Sequence, residues 1–183
     1  EQFWLAAFFL IVKSILDAAD GELARVKQTP SYTGRYFDSV SDILLNFCFL
    51  YSISYTTQGS LLWVAIAFMA MQLQGTLYNY YYVILRNKVD GDTTSRVFED
   101  KPPVALTGEK QSTVDRWFWT YTFCYVAFDK AIYWLDRNAE QAHCYPKWFM
   151  TLVSAFGLGF QLLIISVMLC LGLAEHVVVF LIG

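Results

Sequence analysis

The sequence predicts an all-α fold, a polytopic transmembrane helical bundle, and three observations carry that prediction. Of its 183 residues, 56% are hydrophobic, 18% aromatic and only 16% charged, whereas soluble globular chains run nearer to a quarter charged. The apolar residues come in blocks long enough to cross a bilayer, which takes about 20 residues of helix. Polar stretches carrying proline, glycine and charge separate the blocks and end the helices.

The first span is expected at 3–26, where FWLAAFFLIVKSIL is interrupted only by Lys13 and Ser14 and runs on into AADGELARV. One lysine with a long stem can snorkel, so it does not disqualify a span. Pro30 and Gly34 then break the chain before a second span at 36–55. The short TTQGS turn leads to a third span, 61–85, which ends in Tyr78, Tyr80, Tyr81 and Tyr82, the placement expected of an interfacial belt. Residues 86–146 form a cytoplasmic loop rich in charge, with a Pro102-Pro103 pair. Within it, 113–137 is apolar mainly through aromatics, and Asp115, Thr122, Asp129 and Asp136 recur every seven positions. Such a polar stripe predicts an interfacial helix; a crossing helix with its seam against protein is the alternative. Residues 147–171, containing Gly157 and Gly159, form the next span, and 175–183 begins a last one that the chain end truncates. The first residue is Glu1 and not Met, so a missing or shortened first helix is expected.

A net charge of -3 supplies no basic surface to neutralise phosphates, and no nucleic-acid partner is expected. Cys48, Cys124, Cys144 and Cys170 lie far apart without a CxxC pair, and neither His143 nor His176 joins them; zinc and a disulfide scaffold are not expected. Arg25, Lys27 and Arg35 fall in the first connection, and Arg86, Lys88, Arg96, Lys101 and Lys110 in the third, while 56–60 has no basic residue. The positive-inside rule therefore predicts a multi-pass protein whose first and third connections face the cytoplasm.

Four aspartates carry the chemistry. Asp17 and Asp20 share one helix face, as do Asp38 and Asp42, and the short connection between the two helices brings both faces together near the cytoplasmic interface. Four converging carboxylates repel and lose hydration unless cations share the site. Oxygen ligands suit hard ions, Mg²⁺ or Mn²⁺ first, and two such ions about 3.5–4 Å apart serve displacement at phosphorus. Gly21 costs roughly 1 kcal/mol in a helix relative to alanine, which points to close backbone approach by a ligand. Ala24 keeps the adjoining surface shallow, Arg25 offers a planar fork for phosphate oxygens, and Gly34 is either a second close approach or a plain helix-start breaker.

Written out, Asp17-x2-Asp20-Gly21-x2-Ala24-Arg25-x8-Gly34-x3-Asp38-x3-Asp42 resembles the signature of the CDP-alcohol phosphotransferase (CDP-alcohol phosphatidyltransferase) family, without gap or substitution. The resemblance implies a six-helix membrane core, here lacking its first helix, a homodimer, and an active site facing the cytoplasm. It implies that Asp17, Asp20, Asp38 and Asp42 bind a pair of Mg²⁺ or Mn²⁺ ions, that Asp42 also acts as the base, and that Gly21, Ala24, Arg25 and Gly34 contact the CDP donor. The implied reaction is attack of an alcohol on a CDP-linked donor with release of CMP, in phospholipid biosynthesis. CDP-diacylglycerol as donor and a polyol or polyol phosphate as acceptor are favoured; transfer from CDP-ethanolamine or CDP-choline to diacylglycerol is the alternative.

The rival from another class is a cation transporter with an acidic intramembrane site, and a catalytically silent scaffold is the third reading. Against transport, the acids gather at one depth, and the remaining spans offer only amides such as Gln72, Gln74 and Gln161. Lesser features are the GDTTSR stretch, 91–96, as a phosphate loop, Arg86 and Lys88 as attractors of an acidic headgroup, and Gly157 and Gly159 with Ser154 and Ser166 as a close-packing seam.

Overall fold

The computed structural model describes residues 2–88, 99–142 and 145–183, with the side chain of Arg25 outside that set. The GDTTSR stretch, His143 and Cys144 also lie outside it. Among the described residues the chain is all-helical, with seven α-helices, one 3-10 turn and no strand. Helices α1 (Phe3–Val26), α2 (Tyr32–Thr56) and α3 (Leu61–Lys88) follow one another across short turns. Helix α2 starts earlier than the apolar pattern suggests because Ser31 caps it, its Oγ accepting from the Gly34 N–H at 2.9 Å. A serine in extended conformation at that position satisfies one of the free amides of the first turn.

Helix α4 (Gln111–Leu135) follows the polar connection, and the 3-10 turn Ala139–Gln141 leads to α5 (Lys147–Ser154), α6 (Leu158–Cys170) and α7 (Ala174–Ile182). The stretch 147–171 is thus not one straight helix but two, α5 and α6, bent by 51°. Gly157 sits at the bend, where a Cβ would lie 3.2 Å from the Tyr78 ring, so the break lets α3 come close. Helix α3 is long and apolar enough to cross a membrane, and α5 with α6 meets the same requirement when taken as one span.

Three apolar clusters hold the bundle. The largest joins Ala7 and Leu10 of α1 to Leu50 of α2, Val64 of α3, Leu162 of α6 and Val177 of α7. It occupies the end remote from the α1–α2 turn. A second cluster packs Tyr80, Tyr81 and Ile84 of α3 against Ile132 of α4 and Val153 of α5. A third packs Tyr36 of α2 against Val114 and Phe118 of α4. Tyr80 and Tyr81, expected at an interface, are buried, and both hydroxyls donate to Asp136, at 2.8 Å and 2.9 Å. Helix α4 therefore rests its first half on the first turns of α2 and its second half on the last turns of α3. Both contacts lie at the same end of the bundle.

Helix α1 packs closely on α6 and only sparsely on α2, which leaves a cleft between the two acid-bearing helices. The outer surface is strongly apolar. Trp4, Phe9, Leu44, Leu62, Phe123 and Trp134 are all exposed, and large exposed apolar surface marks contact with a membrane or a partner.

Candidate active site

The acids enter the site from the last three turns of α1 and the first three of α2. Lys13, one turn before Asp17, reaches across the cleft, and its Nζ forms ion pairs with both Asp17 and Asp42. Its side chain is largely buried between them. Asp38, one turn before Asp42, is exposed and lies within electrostatic reach of Asp42, Asp17 and Asp20. Asp20 is exposed at the rim. Gly21 and Ala24 occupy the last turns of α1. Gly34 sits in the first turn of α2, where a Cβ would lie 3.2 Å from Ser31 Oγ. The cap alone accounts for a small residue there.

The start of α2 is held from outside by two glutamates of the polar connection. The Glu109 carboxylate accepts from Ser31 Oγ at 2.9 Å, from the Thr33 N–H at 2.7 Å and from the Tyr32 N–H at 3.3 Å. It also accepts from the Leu106 N–H at 3.2 Å. A negative group on free amides at a helix N-terminus is favoured by both hydrogen bonding and the helix dipole. Burial raises the Glu109 carboxyl, but the hydrogen bonds from Thr33, Ser31 and Leu106 outweigh it and leave the group below its ordinary 4.5. Glu99 pairs with Arg35 Nη2 at 2.5 Å and accepts from the Tyr36 hydroxyl, while the Arg35 guanidinium lies 4.5 Å above the Tyr36 ring.

Behind Asp42 a cavity of about 320 Å³ opens among α2, α3, α4 and α6. Asp42 lies at the junction, taking part in both the acid cluster and the cavity wall. Asn46, Gln72 and Thr76 extend the wall inward, and Tyr125 and Asp129 line it from α4. Tyr125 also donates to the Ser39 carbonyl at 2.9 Å, fixing α4 against α2. Beyond Asn46 and Gln72 the buried residues are mainly apolar, Leu50, Val64 and Ala67 among them, with the hydroxyls of Ser54 and Ser166 but no charged side chain buried among the described residues. Gln161 donates to Gln74 Oε1 at 2.9 Å and Gln74 to the Leu181 carbonyl at 3.1 Å, so these two amides bind α6, α3 and α7 together.

Sequence comparison decides the family. The family model for CDP-alcohol phosphatidyltransferase matches residues 1–182. The chain belongs to this family. Members of the family pair a CDP-alcohol donor with an alcohol acceptor, and the family as a whole is membrane-associated and generally dependent on divalent metal. One similar protein is the bifunctional IPC transferase and DIPP synthase of Thermococcus kodakarensis, 37% identical over 67 residues. That match covers 37% of this chain and 16% of the relative's own length. No solved structure matches.

The donor set is chemically suited to a hard divalent ion, since the clustered carboxylates are all oxygen ligands on two facing helices. As the side chains stand, Lys13 fills the space between Asp17 and Asp42, and among the described residues no three ligating side chains enclose a common point. An ammonium bridging two carboxylates marks the place where positive charge is needed. Sequence reasoning gave Lys13 no part in the site, although its i, i+4 relation to Asp17 puts both on one face. It also missed Asn46, which continues the four-residue spacing of Asp38 and Asp42. Glu99 and Glu109 had no signal, because loop acids reveal their partners only once the chain is folded.

Proposed function

We propose that the protein transfers a substituted phosphate from a CDP-linked donor, CDP-diacylglycerol in the favoured case, to the hydroxyl of a polyol or polyol phosphate, releasing CMP for phospholipid biosynthesis. The observation that carries this reading is the position of Asp42. One carboxylate is shared between an acidic cluster suited to a pyrophosphate with its cations and a polar cavity suited to an alcohol. In the reaction Asp42 takes the acceptor hydroxyl proton, the oxygen forms a new bond to phosphorus, and the phosphoanhydride bond to CMP breaks. Gly21, Ala24, Arg25 and Gly34 contact the CDP portion. Asp17, Asp20, Asp38 and Asp42 would hold a Mg²⁺ or Mn²⁺ pair, for which Lys13 would have to withdraw from between Asp17 and Asp42. When bound, the ions neutralise the pyrophosphate and stabilise departing CMP.

The same reading makes the protein a multi-pass membrane enzyme with its site at the cytoplasmic interface, acting as a homodimer. The exposed apolar shell supports the membrane setting. The course of α4, with both halves at one end of the bundle, supports an interfacial helix over 113–137. Transport is disfavoured because the acids gather at one end of the bundle and no charged side chain is buried beyond them among the described residues.

The test is release of CMP from labelled CDP-diacylglycerol by the purified full-length protein with Mg²⁺ and a panel of alcohols. Release should disappear with EDTA, and Asp42→Asn should lower it by about 10²- to 10⁴-fold, the usual effect of losing a general base. If no donor and acceptor combination yields metal-dependent CMP, while proteoliposomes show a cation flux that Asp42→Asn abolishes, the protein is a transporter.

A further inference from the structure

Arg35 stands on α2 three residues before Asp38. Residues three apart on a helix are neighbours, close enough for a basic and an acidic side chain to pair. Asp38 is exposed and lies within electrostatic reach of Asp17, Asp20, Asp42 and Lys13, so an arginine at this position has a ready partner in the acid cluster. The structure turns it elsewhere. Its Nη2 pairs with Glu99 at 2.5 Å, and its guanidinium lies 4.5 Å from the centre of the Tyr36 ring and 5.8 Å from that of Tyr32. At about 100° per residue, Tyr36 and Asp38 lie on opposite sides of Arg35 around the helix. A guanidinium over Tyr36 therefore leans away from the acids.

Glu99 is what holds it there. The Glu99 side chain is only 9% exposed, and its second oxygen accepts from the hydroxyl of Tyr36, a residue buried against Val114 and Phe118 of α4. Hydrogen bonds between charged partners are the strong ones, and the bond from Tyr36 keeps the carboxylate on the α4 side. The consequence lies in the acid cluster. Lys13 already fills the space between Asp17 and Asp42, and a second cation on Asp38 would cover further oxygens that a divalent ion needs. Groups outside a metal's own ligands that govern how those ligands are presented commonly change metal affinity by about 10- to 100-fold.

We propose that Glu99 is a positioning residue for the transfer reaction: by binding Arg35 on the α4 side of α2, it withholds that guanidinium from Asp38 and leaves the carboxylate open to a divalent ion. The proposal rests on the transfer reading above, in which Asp38 is a metal ligand, and adds a residue of the third connection that touches neither metal nor substrate. A plain strut between the connection and α2 has a different signature. Loss of a strut is not repaired by removing Arg35 as well, whereas loss of a restraint on Arg35 is.

The experiment uses the full chain in detergent. It reads the Mg²⁺ concentration that gives half of the Mg²⁺-induced rise in Tm, without donor or acceptor, and then the Mg²⁺ dependence of CMP release. Glu99→Gln keeps the shape of the side chain and frees Arg35, and it should raise the half-point at least about tenfold. Adding Arg35→Gln to that variant should bring the half-point back to within about threefold of wild type, since repair of one substitution by the other is the coupling a double-mutant cycle measures. A wild-type half-point in Glu99→Gln overturns the proposal. So does a double variant as weak as the single one, which makes Glu99 a strut, and so does a wild-type protein whose Tm responds to neither Mg²⁺ nor Mn²⁺. If Glu99→Gln does not fold, Glu99→Asp, which keeps the charge and shortens its reach, is read by the same criteria. The transfer reading fails separately, when no donor and acceptor pair yields CMP with the wild-type protein; the half-points, taken without substrate, still decide the part of Glu99.

Discussion

At the scale of single residues, the decisive arrangement is Lys13 between Asp17 and Asp42. Two carboxylates from different helices gain little from approaching each other in a low-dielectric cleft unless a positive charge lies between them. Lys13 supplies that charge in the protein alone and competes for the place a divalent ion takes. Lys13→Met should therefore enlarge the rise in Tm produced by Mg²⁺, because the variant enters the titration with its carboxylates unshared, while its Tm without metal falls below wild type. Thermal unfolding across a Mg²⁺ series reads both effects, and an identical Mg²⁺ response in the two proteins would show that Lys13 does not contest the site. The acids were legible from sequence because helical geometry puts residues three and four apart on one face. Lys13 was not, since a lysine near a span's end is already explained by snorkelling. That Asn46, Gln72 and Thr76 are all buried depends on how the helices close around them, which no local pattern encodes.

At the scale of elements, α2 is the part on which the site depends, because it carries Asp38 and Asp42 and lines the cavity at Asn46. Its first turn is doubly capped, by Ser31 from within and by Glu109 from the connection ahead of α4. The Glu109 clamp fixes the start of α2 against the entry of α4, and the Arg35–Glu99 pair repeats the tie one turn further on. Glu109→Gln should cost about 0.5–2 kcal/mol, the usual range for a lost N-cap, and show as a lower Tm at pH 7. The folded carboxyl lies below its ordinary 4.5, so its contribution is complete above that value and is lost as pH falls through the folded value. The Tm difference between wild type and Glu109→Gln should thus be full at pH 7 and shrink once the pH falls below the ordinary 4.5 and through the folded value; a difference that never shrinks on acidification would mean that the charge plays no part. Helix positions were well read from apolar blocks, while the bend between α5 and α6 was not. Gly157 is ordinary in an apolar run, and only the approach of Tyr78 turns it into a break.

At the scale of the whole molecule, the polar ties and the apolar shell give the protein a direction. The turn 57–60 and the turn 27–31 lie at opposite ends of α2. The bonds from Ser31 to Glu109 and from Arg35 to Glu99 hold the third connection at the same end as the first. Both are the connections rich in lysine and arginine, so folding and charge bias agree on which end they share, though they derive from unrelated physics: hydrogen bonding in one case and the asymmetry of membrane insertion in the other. The acid cluster and the contacts of α4 lie at that end, and the opposite end is a mainly apolar core that includes α7. The proposed donor, part lipid and part nucleotide, would suit this division, with its chains along the exposed apolar faces and its headgroup at the basic end. In a background with the native cysteines replaced by serine, a membrane-impermeant maleimide applied to intact cells should label Gln58→Cys and spare Lys27→Cys, with both labelled after permeabilisation. The reverse pattern would place the acids outside, away from cytoplasmic CDP donors, and equal labelling of both in intact cells would remove the membrane-spanning course of α2 altogether.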